Sequence, residues 1–278
     1  MPVISVGMAS DPKAFQEFEH DGWERAAEFY GDAFGALTAQ TAPTLLDAVG
    51  ATDRTRLLDV ASGPGFIAAA AALRGASVSG LDFARAMVVE ARRRHPSITF
   101  REGDAEALPF ADGSFDAVVM NFGLLHLARP EAAIAEARRV LRPGGRYAFT
   151  VWAPPERAVG FGMTLRAIEQ FGNKDVPLPE GPPFFRFSDA AGTQQTLESN
   201  GFADVRVEEL PMTWRLGSSD AVFQALARGG VRTAAVLRAQ TPEALAAIRA
   251  AVRTGVESYA RDGGFAVPMP AVLASATR

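Results

Sequence analysis

The chain has 278 residues, with 28 basic and 32 acidic side chains, a formal net charge of −4 and no cysteine. The missing cysteines exclude a disulfide framework, a cysteine zinc site and a thiolate nucleophile. The acidic balance argues against a nucleic-acid partner, because proteins that grip phosphate backbones present strongly basic faces. No run approaches the roughly 20 apolar residues that span a bilayer, and residues 1–13 lack the pattern of a signal peptide. We therefore expect a cytoplasmic protein.

The first half of the chain divides into a helical segment and an alternating segment. Residues 12–48 read as helical and are rich in aromatic side chains. Residues 54–152 alternate strands with helices of about ten residues, which indicates right-handed βαβ units and a parallel sheet. The predicted strands are 56–60, 76–81, 98–101, 115–120 and 146–152, and the predicted helices between them are 66–74, 85–95 and 131–141.

The second half has weaker signals. Residues 153–187 are rich in Pro, Gly and Phe and are predicted to form a lid or an insertion. The predicted elements after it are a helix at 188–200, a strand at 203–216, a helical insertion at 217–264 with helices at 219–226 and 242–259, and a final strand at 272–277. We interpret 1–53 as a helical cover, 54–152 as the core and 153–278 as the remainder of the same domain.

A glycine-rich turn follows the first predicted strand, in the sequence LLDVASGPGF. Gly63 and Gly65 lack Cβ, so the backbone can bend sharply and approach a ligand. The helix after the turn offers unpaired N–H groups. Asp82 ends the next strand, 17 residues after Gly65, where a carboxylate can accept two ribose hydroxyls. This spacing is typical of a nucleoside site at the carboxyl edge of a parallel sheet.

The turn alone leaves the nucleoside undetermined. The dinucleotide fingerprint requires glycine at positions 61, 63 and 66, and only Gly63 satisfies it. A P-loop is excluded because no lysine follows the turn. A packing role for these glycines also stays open at this point.

Four longer stretches resemble one enzyme family: LLDVASGPG (57–65), SGLDFARAMVVEARRR (79–94), ITFREGDAEALPFADGSFDAVVMNFGLLHL (98–127) and EARRVLRPGGRYAFTVW (136–152). Together they resemble class I S-adenosylmethionine-dependent methyltransferases, in the branch that includes ubiquinone and menaquinone C-methyltransferases. The resemblance implies a Rossmann-like α/β fold with a seven-stranded sheet and helices on both faces. It also implies S-adenosyl-L-methionine as cofactor, with S-adenosyl-L-homocysteine as product, and no metal.

The resemblance assigns cofactor-binding residues one by one. It places Asp59 near the amino group of the methionine moiety, Asp82 at the ribose, and Asp104 with Ala105 at the adenine. The remaining matched positions are Ala61, Gly63, Gly65, Phe83, Met87, Asn121 and Phe122. Ala61 departs from the family, which usually has glycine there.

Plain structural roles compete with some of these assignments. Asp59 can serve only to cap the turn, and Phe83 and Met87 can be ordinary core residues. Asn121 can satisfy local backbone groups. These alternatives stay open in the sequence.

Methyl transfer from a sulfonium is an in-line displacement, so it needs alignment and a water-poor pocket. Some methyl transfers also require a base that deprotonates the acceptor. His126 follows the fourth predicted strand, where the acceptor is expected, and is the candidate base. In many members of the family a histidine here shapes the pocket instead.

Aromatic residues are candidates for the walls or cover of an acceptor pocket: Trp23, Tyr30, Trp152, Phe184 and Trp214. They favour a small apolar or aromatic methyl acceptor. Two other function classes remain. One is a catalytically silent regulatory protein that binds S-adenosylmethionine or S-adenosylhomocysteine, and the other is a nicotinamide-dependent oxidoreductase.

Overall fold

The computed structural model describes residues 11–278. Residues 1–10, which belong to the predicted cover and to the segment searched for a signal peptide, lie outside the described residues. The described chain is an α/β structure built on a seven-stranded sheet, which confirms the predicted fold class. No helix in residues 11–278 combines the length and apolarity needed to cross a bilayer.

The large sheet has the strand order β3-β2-β1-β4-β5-β10-β6. Its strands are β1 (Arg56–Val60), β2 (Ser77–Asp82), β3 (Thr99–Glu102), β4 (Phe115–Asn121), β5 (Leu141–Trp152), β6 (Ala203–Leu210) and β10 (Ala271–Thr277). Strands β1 to β5 pair in parallel, and β10 runs antiparallel to both of its neighbours. The chain order reverses between β1 and β4, so a crevice opens there at the carboxyl ends of the strands.

The sheet's central strands are apolar because helices cover both faces. Leu57 and Leu58 of β1 point to opposite faces, and both are fully buried. The helices that contact this sheet include α4 (Phe66–Leu73), α5 (Arg85–Arg94), α6 (Pro130–Val140) and α8 (Ala190–Ser199). Helix α7 (Val159–Phe171) packs instead against a later helix.

The predicted helical character of residues 12–48 is confirmed. Helix α1 (Pro12–Tyr30) begins at Asp11, whose side chain accepts hydrogen bonds from the next turn. The chain then continues through a π-helical turn (Gly31–Gly35), α2 (Ala36–Thr38), a 3₁₀ turn (Ala39–Thr41) and α3 (Ala42–Ala48). Helix α1 contacts α5, which places it beside the crevice of the sheet.

Two predictions for the second half are wrong in part. Residues 203–216 are not one strand: Pro211, which has no N–H to donate to a sheet, separates β6 from β7 (Thr213–Leu216). Strand β7 joins a second sheet with β8 (Ala260–Arg261) and β9 (Gly264–Pro268). The predicted insertion 217–264 therefore stops being helical after Glu257.

The insertion contains three helices, α9 (Ala221–Gly229), α10 (Arg232–Arg238) and α11 (Pro242–Glu257), of which the sequence missed α10. The predicted lid 153–187 contains α7, which packs against α11. The last strand begins at Ala271, one residue before the prediction. The division into cover, core and remainder stays an interpretation.

Candidate functional site

The glycine turn between β1 and α4 is left-handed at three residues. The φ angles are +53° at Ala61, +51° at Gly63 and +85° at Gly65. At Gly65 a Cβ would lie 2.7 Å from Cζ of Phe100, so glycine is required for packing. At Gly63 a Cβ would meet nothing within 4 Å, because this part of the turn faces open space.

Ala61, the departure from the family pattern, is accommodated by a second glycine. A Cβ on Gly123, in the loop after β4, would come within 2.5 Å of the Ala61 methyl. The two loops therefore approach each other closely only because position 123 has no side chain.

Asp82 ties the glycine turn to the next strand end. Its carboxylate accepts hydrogen bonds from the N–H of Gly63 at 2.8 Å and of Ala84 at 3.0 Å. Burial raises the pKa of Asp82 to about 6, although these N–H groups oppose the shift. The group thus fixes the turn and also lines the crevice beside it.

Asp59 lies behind the turn and is almost fully buried. One carboxylate oxygen accepts a hydrogen bond from the N–H of Ala68 at 2.9 Å, which holds the start of α4 against β1. The other oxygen is buried and has no hydrogen-bond partner among residues 11–278. Burial, reinforced by the charge of Asp82, raises the pKa of Asp59 to about 8. An incoming donor or cation would satisfy this oxygen.

Most of the predicted cofactor residues line one cleft at the reversal point of the sheet, with about 690 Å³ of free space that is partly open to solvent. We call it the cofactor cleft. The predicted residues that line it are Ala61, Gly63, Asp82, Phe83, Met87, Asp104, Ala105, Asn121 and Phe122. Asp59 and Gly65 support the turn from behind. The structure therefore brings the predicted set together, while their roles in binding stay predictions.

The cover helix α1 supplies a residue of this cleft that the sequence did not reveal. Gln16 donates a hydrogen bond to Asp104 at 2.8 Å. The other oxygen of Asp104 accepts from the N–H of Glu106, also at 2.8 Å. Asp104 is therefore held in place at the mouth of the cleft by one local bond and one bond from α1.

Asn121 is engaged mainly by the protein itself. Its oxygen accepts hydrogen bonds from the hydroxyls of Thr41 at 2.8 Å and Thr150 at 2.6 Å. Its amide donates to the carbonyl of Thr38 at 3.2 Å. These contacts favour the structural role, in which Asn121 ties the cover segment to the end of β4.

A second cavity, which we call the aromatic chamber, lies beside the cofactor cleft and has about 480 Å³ of free space that is partly open to solvent. Four residues line both cavities and form their boundary: Trp23, Tyr30, Phe122 and His126. The other walls of the chamber are Phe34, Trp152, Phe161, Phe184, Leu226 and residues 229–233. The Phe122 and Trp152 rings stack at 4.0 Å, and the Trp23 ring meets the His126 ring edge-on at 4.8 Å.

Four of the five predicted wall residues therefore line the chamber, and Trp214 does not. Trp214 is buried in β7 and stacks on Phe34 from behind, with ring centroids 5.1 Å apart. Its position follows from the break at Pro211, which moves β7 out of the large sheet.

His126 is held from the buried side of its ring. Its Nδ1 lies 2.9 Å from a carboxylate oxygen of Glu19, on α1. The Nε of Arg232, on α10, donates to the other oxygen of Glu19 at 2.7 Å. Burial acts to raise the pKa of Glu19, but His126 and Arg232 outweigh it and hold that pKa below its usual value.

Sequence reasoning missed Glu19 and Arg232 because each is more than 100 residues from His126. One signal was present. Glu19 falls on the buried face of α1, together with Phe15, Gly22 and Ala26 at helical spacing. A lone acid on such a face needs a buried partner.

The chamber continues toward the surface as an apolar groove, which we call the outer groove. It shares Phe161, Phe184, Arg232 and Thr233 with the chamber. Its other lining residues are Leu165, Ile168, Glu169, Lys174, Phe185 and Val236. Leu165 is 41% exposed at this surface.

Comparison with known proteins gives a consistent result. Residues 58–149 match the model of a methyltransferase domain family. A demethylmenaquinone methyltransferase from Renibacterium salmoninarum is 38% identical over 165 residues, covering 58% of this chain and 70% of that protein. Another from Beutenbergia cavernae is 46% identical over 121 residues, covering 42% of this chain and 50% of that protein.

Solved structures of low identity show the same fold. The phosphoethanolamine N-methyltransferase 2 of Haemonchus contortus, solved with S-adenosyl-L-methionine, has a TM-score of 0.58 and 18% identity. The match covers 98% of this chain and 60% of the Haemonchus contortus protein. The [4+2]-cyclase SpnF has a TM-score of 0.52 and 23% identity over 86% of this chain and 80% of its own. The fold therefore does not by itself determine the reaction.

Proposed function

This chain belongs to the class I S-adenosylmethionine-dependent methyltransferases, and on that premise we propose that it methylates a small aromatic, quinone-type acceptor held in the aromatic chamber. The observation that carries the proposal is the boundary formed by Trp23, Tyr30, Phe122 and His126, which line both cavities. A donor in the cleft and an acceptor in the chamber meet there.

The polar groups of the cofactor cleft support S-adenosylmethionine as its ligand. The carboxylate of Asp82 would accept the ribose hydroxyls, and Asp104 with Ala105 would recognise the adenine. Gly63 leaves room where a side chain would intrude. The unpartnered oxygen of Asp59 suits the amino group of the methionine moiety.

When bound, the cofactor supplies a methyl group on a positively charged sulfur that leaves as a neutral thioether. This chain's part is to align the acceptor and to exclude water. Alignment of two reactants can supply several kcal/mol of the barrier reduction. The stacked rings of Phe122 and Trp152 and the perpendicular ring of Trp23 provide flat surfaces for that purpose.

The chamber and the outer groove support this acceptor class. Aromatic walls favour a planar ring, because ring faces and edges pack against them. The outer groove would hold an apolar substituent of that ring along Phe161, Leu165 and Ile168. A quinol with an apolar chain has this shape. Both relatives described above are named demethylmenaquinone methyltransferase, which supports a quinone-type acceptor.

His126 is the group best placed to take a proton from the acceptor. It lies on the boundary, and an imidazole can act as a base near neutral pH. Its Nδ1 is occupied by Glu19, whereas Nε2 has no hydrogen-bond partner among residues 11–278.

The test is a mass-spectrometric screen with S-adenosylmethionine that carries a deuterated methyl group. The acceptor panel contains quinols with and without an apolar chain, simple phenols, amines and carboxylates. We expect labelled product from quinols, with the chain-bearing quinol turned over faster. Labelled amines or carboxylates with unlabelled quinols would contradict the acceptor class.

The relatives, which are named as methyltransferases, do not favour a catalytically silent regulatory protein. Calorimetry that shows cofactor binding, together with no labelled product from any acceptor, would favour it. Tight NADH binding without S-adenosylhomocysteine binding in a tryptophan-fluorescence titration would instead favour the oxidoreductase.

A further inference from the structure

We propose that Glu19 is a positioning residue, which holds the His126 ring with its proton on Nδ1 and its free lone pair on Nε2. The lone pair then lies at the boundary between the cofactor cleft and the aromatic chamber. This inference rests on the proposed function, in which His126 takes a proton from the acceptor.

The contacts of Glu19 determine the tautomer. Arg232 donates to Glu19 at 2.7 Å, and this cation favours the ionised carboxylate, which can only accept hydrogen bonds. The His126 nitrogen that lies 2.9 Å away must therefore carry the proton. In the neutral ring the other nitrogen, Nε2, is then the proton acceptor.

Arg232 prevents Glu19 from turning away. Its three guanidinium nitrogens donate to Glu19 at 2.7 Å and to the carbonyls of Pro182 and Leu125, both at 2.9 Å. The guanidinium also lies over the Phe15 ring, 4.5 Å from its centre. Because every one of these nitrogens is engaged, Arg232 presents a fixed donor to one oxygen of Glu19 and leaves the other for His126.

The proton transfer balances with these groups alone. The acceptor's proton moves to Nε2, and its bonding pair stays on the acceptor. That pair forms the bond to the methyl carbon as the carbon–sulfur pair returns to sulfur. The imidazolium that results faces the negative charge of Glu19, which stabilises it.

The substitution Glu19→Gln tests the His126 tautomer directly, because a glutamine amide has one oxygen that accepts hydrogen bonds and one NH₂ group that donates them. The fixed Arg232 donor requires the amide oxygen, so the amide NH₂ faces Nδ1 of His126. The ring must then carry its proton on Nε2, where it cannot accept another. We expect the tautomer to invert and kcat to fall about tenfold, with the KM for S-adenosylmethionine changed less than twofold.

The tautomer is read from nitrogen chemical shifts of ¹⁵N-histidine-labelled protein at about pH 8, where free imidazole is neutral. The chain has only three histidines, so a His126→Gln spectrum assigns the signal. Glu17→Gln is the matched control, because Glu17 is on the same helix with its side chain 67% exposed.

An Nδ1–H ring in the natural protein that becomes Nε2–H in Glu19→Gln, with the loss of kcat, supports the proposal. An Nε2–H ring in the natural protein overturns it even if the variant fails to fold. An inverted ring with unchanged kcat also overturns it. The spectra need no acceptor, so a failed acceptor screen would count against the proposed function and not against this tautomer assignment.

Discussion

The cofactor cleft and the aromatic chamber share a boundary but are built in different ways. The cleft is made chiefly of strand ends and turns between Ala61 and Ala128, with Gln16, Trp23 and Tyr30 added from the cover helix. The chamber gathers rings from α1, the π-helical turn, the ends of β4 and β5, α7 and the loop at Phe184, and residues 229–233 complete its wall. Three carboxylates line the cleft, those of Asp82, Asp104 and Glu106, whereas no acidic side chain among the described residues lines the chamber.

This difference separates recognition of the donor from recognition of the acceptor. In the proposed site, a turn and two carboxylates near strand ends would hold a nucleoside through directional hydrogen bonds. Aromatic walls select by shape and apolar area, which many sequences can supply. Substitutions on the two sides should therefore affect different kinetic constants.

The largest effect is expected at Asp82. Asp82→Asn removes the charge that would bind the ribose hydroxyls, so the affinity for S-adenosylhomocysteine should fall about 100-fold by calorimetry. Glu102→Gln, at the end of the neighbouring strand and exposed, serves as control and should change affinity less than twofold. An unchanged affinity in Asp82→Asn would remove Asp82 from the site.

His126→Ala should lower turnover at least tenfold, because the boundary loses its proton acceptor. Cofactor affinity should stay within about twofold, which separates this variant from Asp82→Asn. The measurement is steady-state kinetics with the best acceptor from the screen. Unchanged turnover would leave His126 with a shaping role only.

Phe184→Ala should raise the KM for the acceptor roughly fivefold, since one aromatic contact contributes about 1 kcal/mol. Cofactor affinity should not change, because Phe184 lines the chamber and not the cleft. Phe171→Ala is the matched control: Phe171 is 41% exposed and lines neither cavity. Equal effects in the two variants would contradict the division between the sites.

A change of pH is expected to have a smaller effect on the affinity for S-adenosylhomocysteine. With the pKa of Asp82 at about 6 in the free protein, the ionised fraction falls about fourfold between pH 7 and pH 5.5. Affinity for S-adenosylhomocysteine should fall by the same factor, because the ionised carboxylate accepts the ribose hydroxyls. Calorimetry at the two pH values checks this, and Asp82→Asn should lose the dependence.

The raised pKa values of the two buried aspartates also affect the stability of the fold. The pKa values of Asp59 and Asp82 are raised in the folded chain, so the folded state binds more protons than the unfolded state. Their contribution to the free energy of unfolding therefore falls as pH rises through the folded-state pKa values, up to about 8 for Asp59.

Cofactor binding that engages Asp59 in its ionised form should release protons, which calorimetry in buffers of different ionisation enthalpy detects.

Much of the cleft was predictable because its residues follow a local pattern. A strand, a glycine turn and an acid at the next strand end place Gly63 and Asp82 together without knowledge of the rest of the chain. Gln16 could not be found in this way, because its contact with Asp104 joins segments 88 residues apart.

The chamber was predictable only as a tendency. Four of the predicted aromatic residues line the chamber: Trp23, Tyr30, Trp152 and Phe184. Trp214 was predicted on the same aromatic character, but it packs behind Phe34 and outside the chamber. Its position depends on how one proline divides a strand between two sheets. Arg232 was also missed, because the helix α10 that begins with it gave no signal of its own.

In the proposed complex the donor lies in the cofactor cleft with its sulfur facing the aromatic chamber. A crystal structure with bound S-adenosylhomocysteine tests it most directly. We expect ribose hydroxyls on Asp82, adenine beside Asp104, and the sulfur against the boundary of Trp23, Phe122 and His126. A ligand whose sulfur points away from this boundary, or whose nucleoside occupies the chamber, would contradict it.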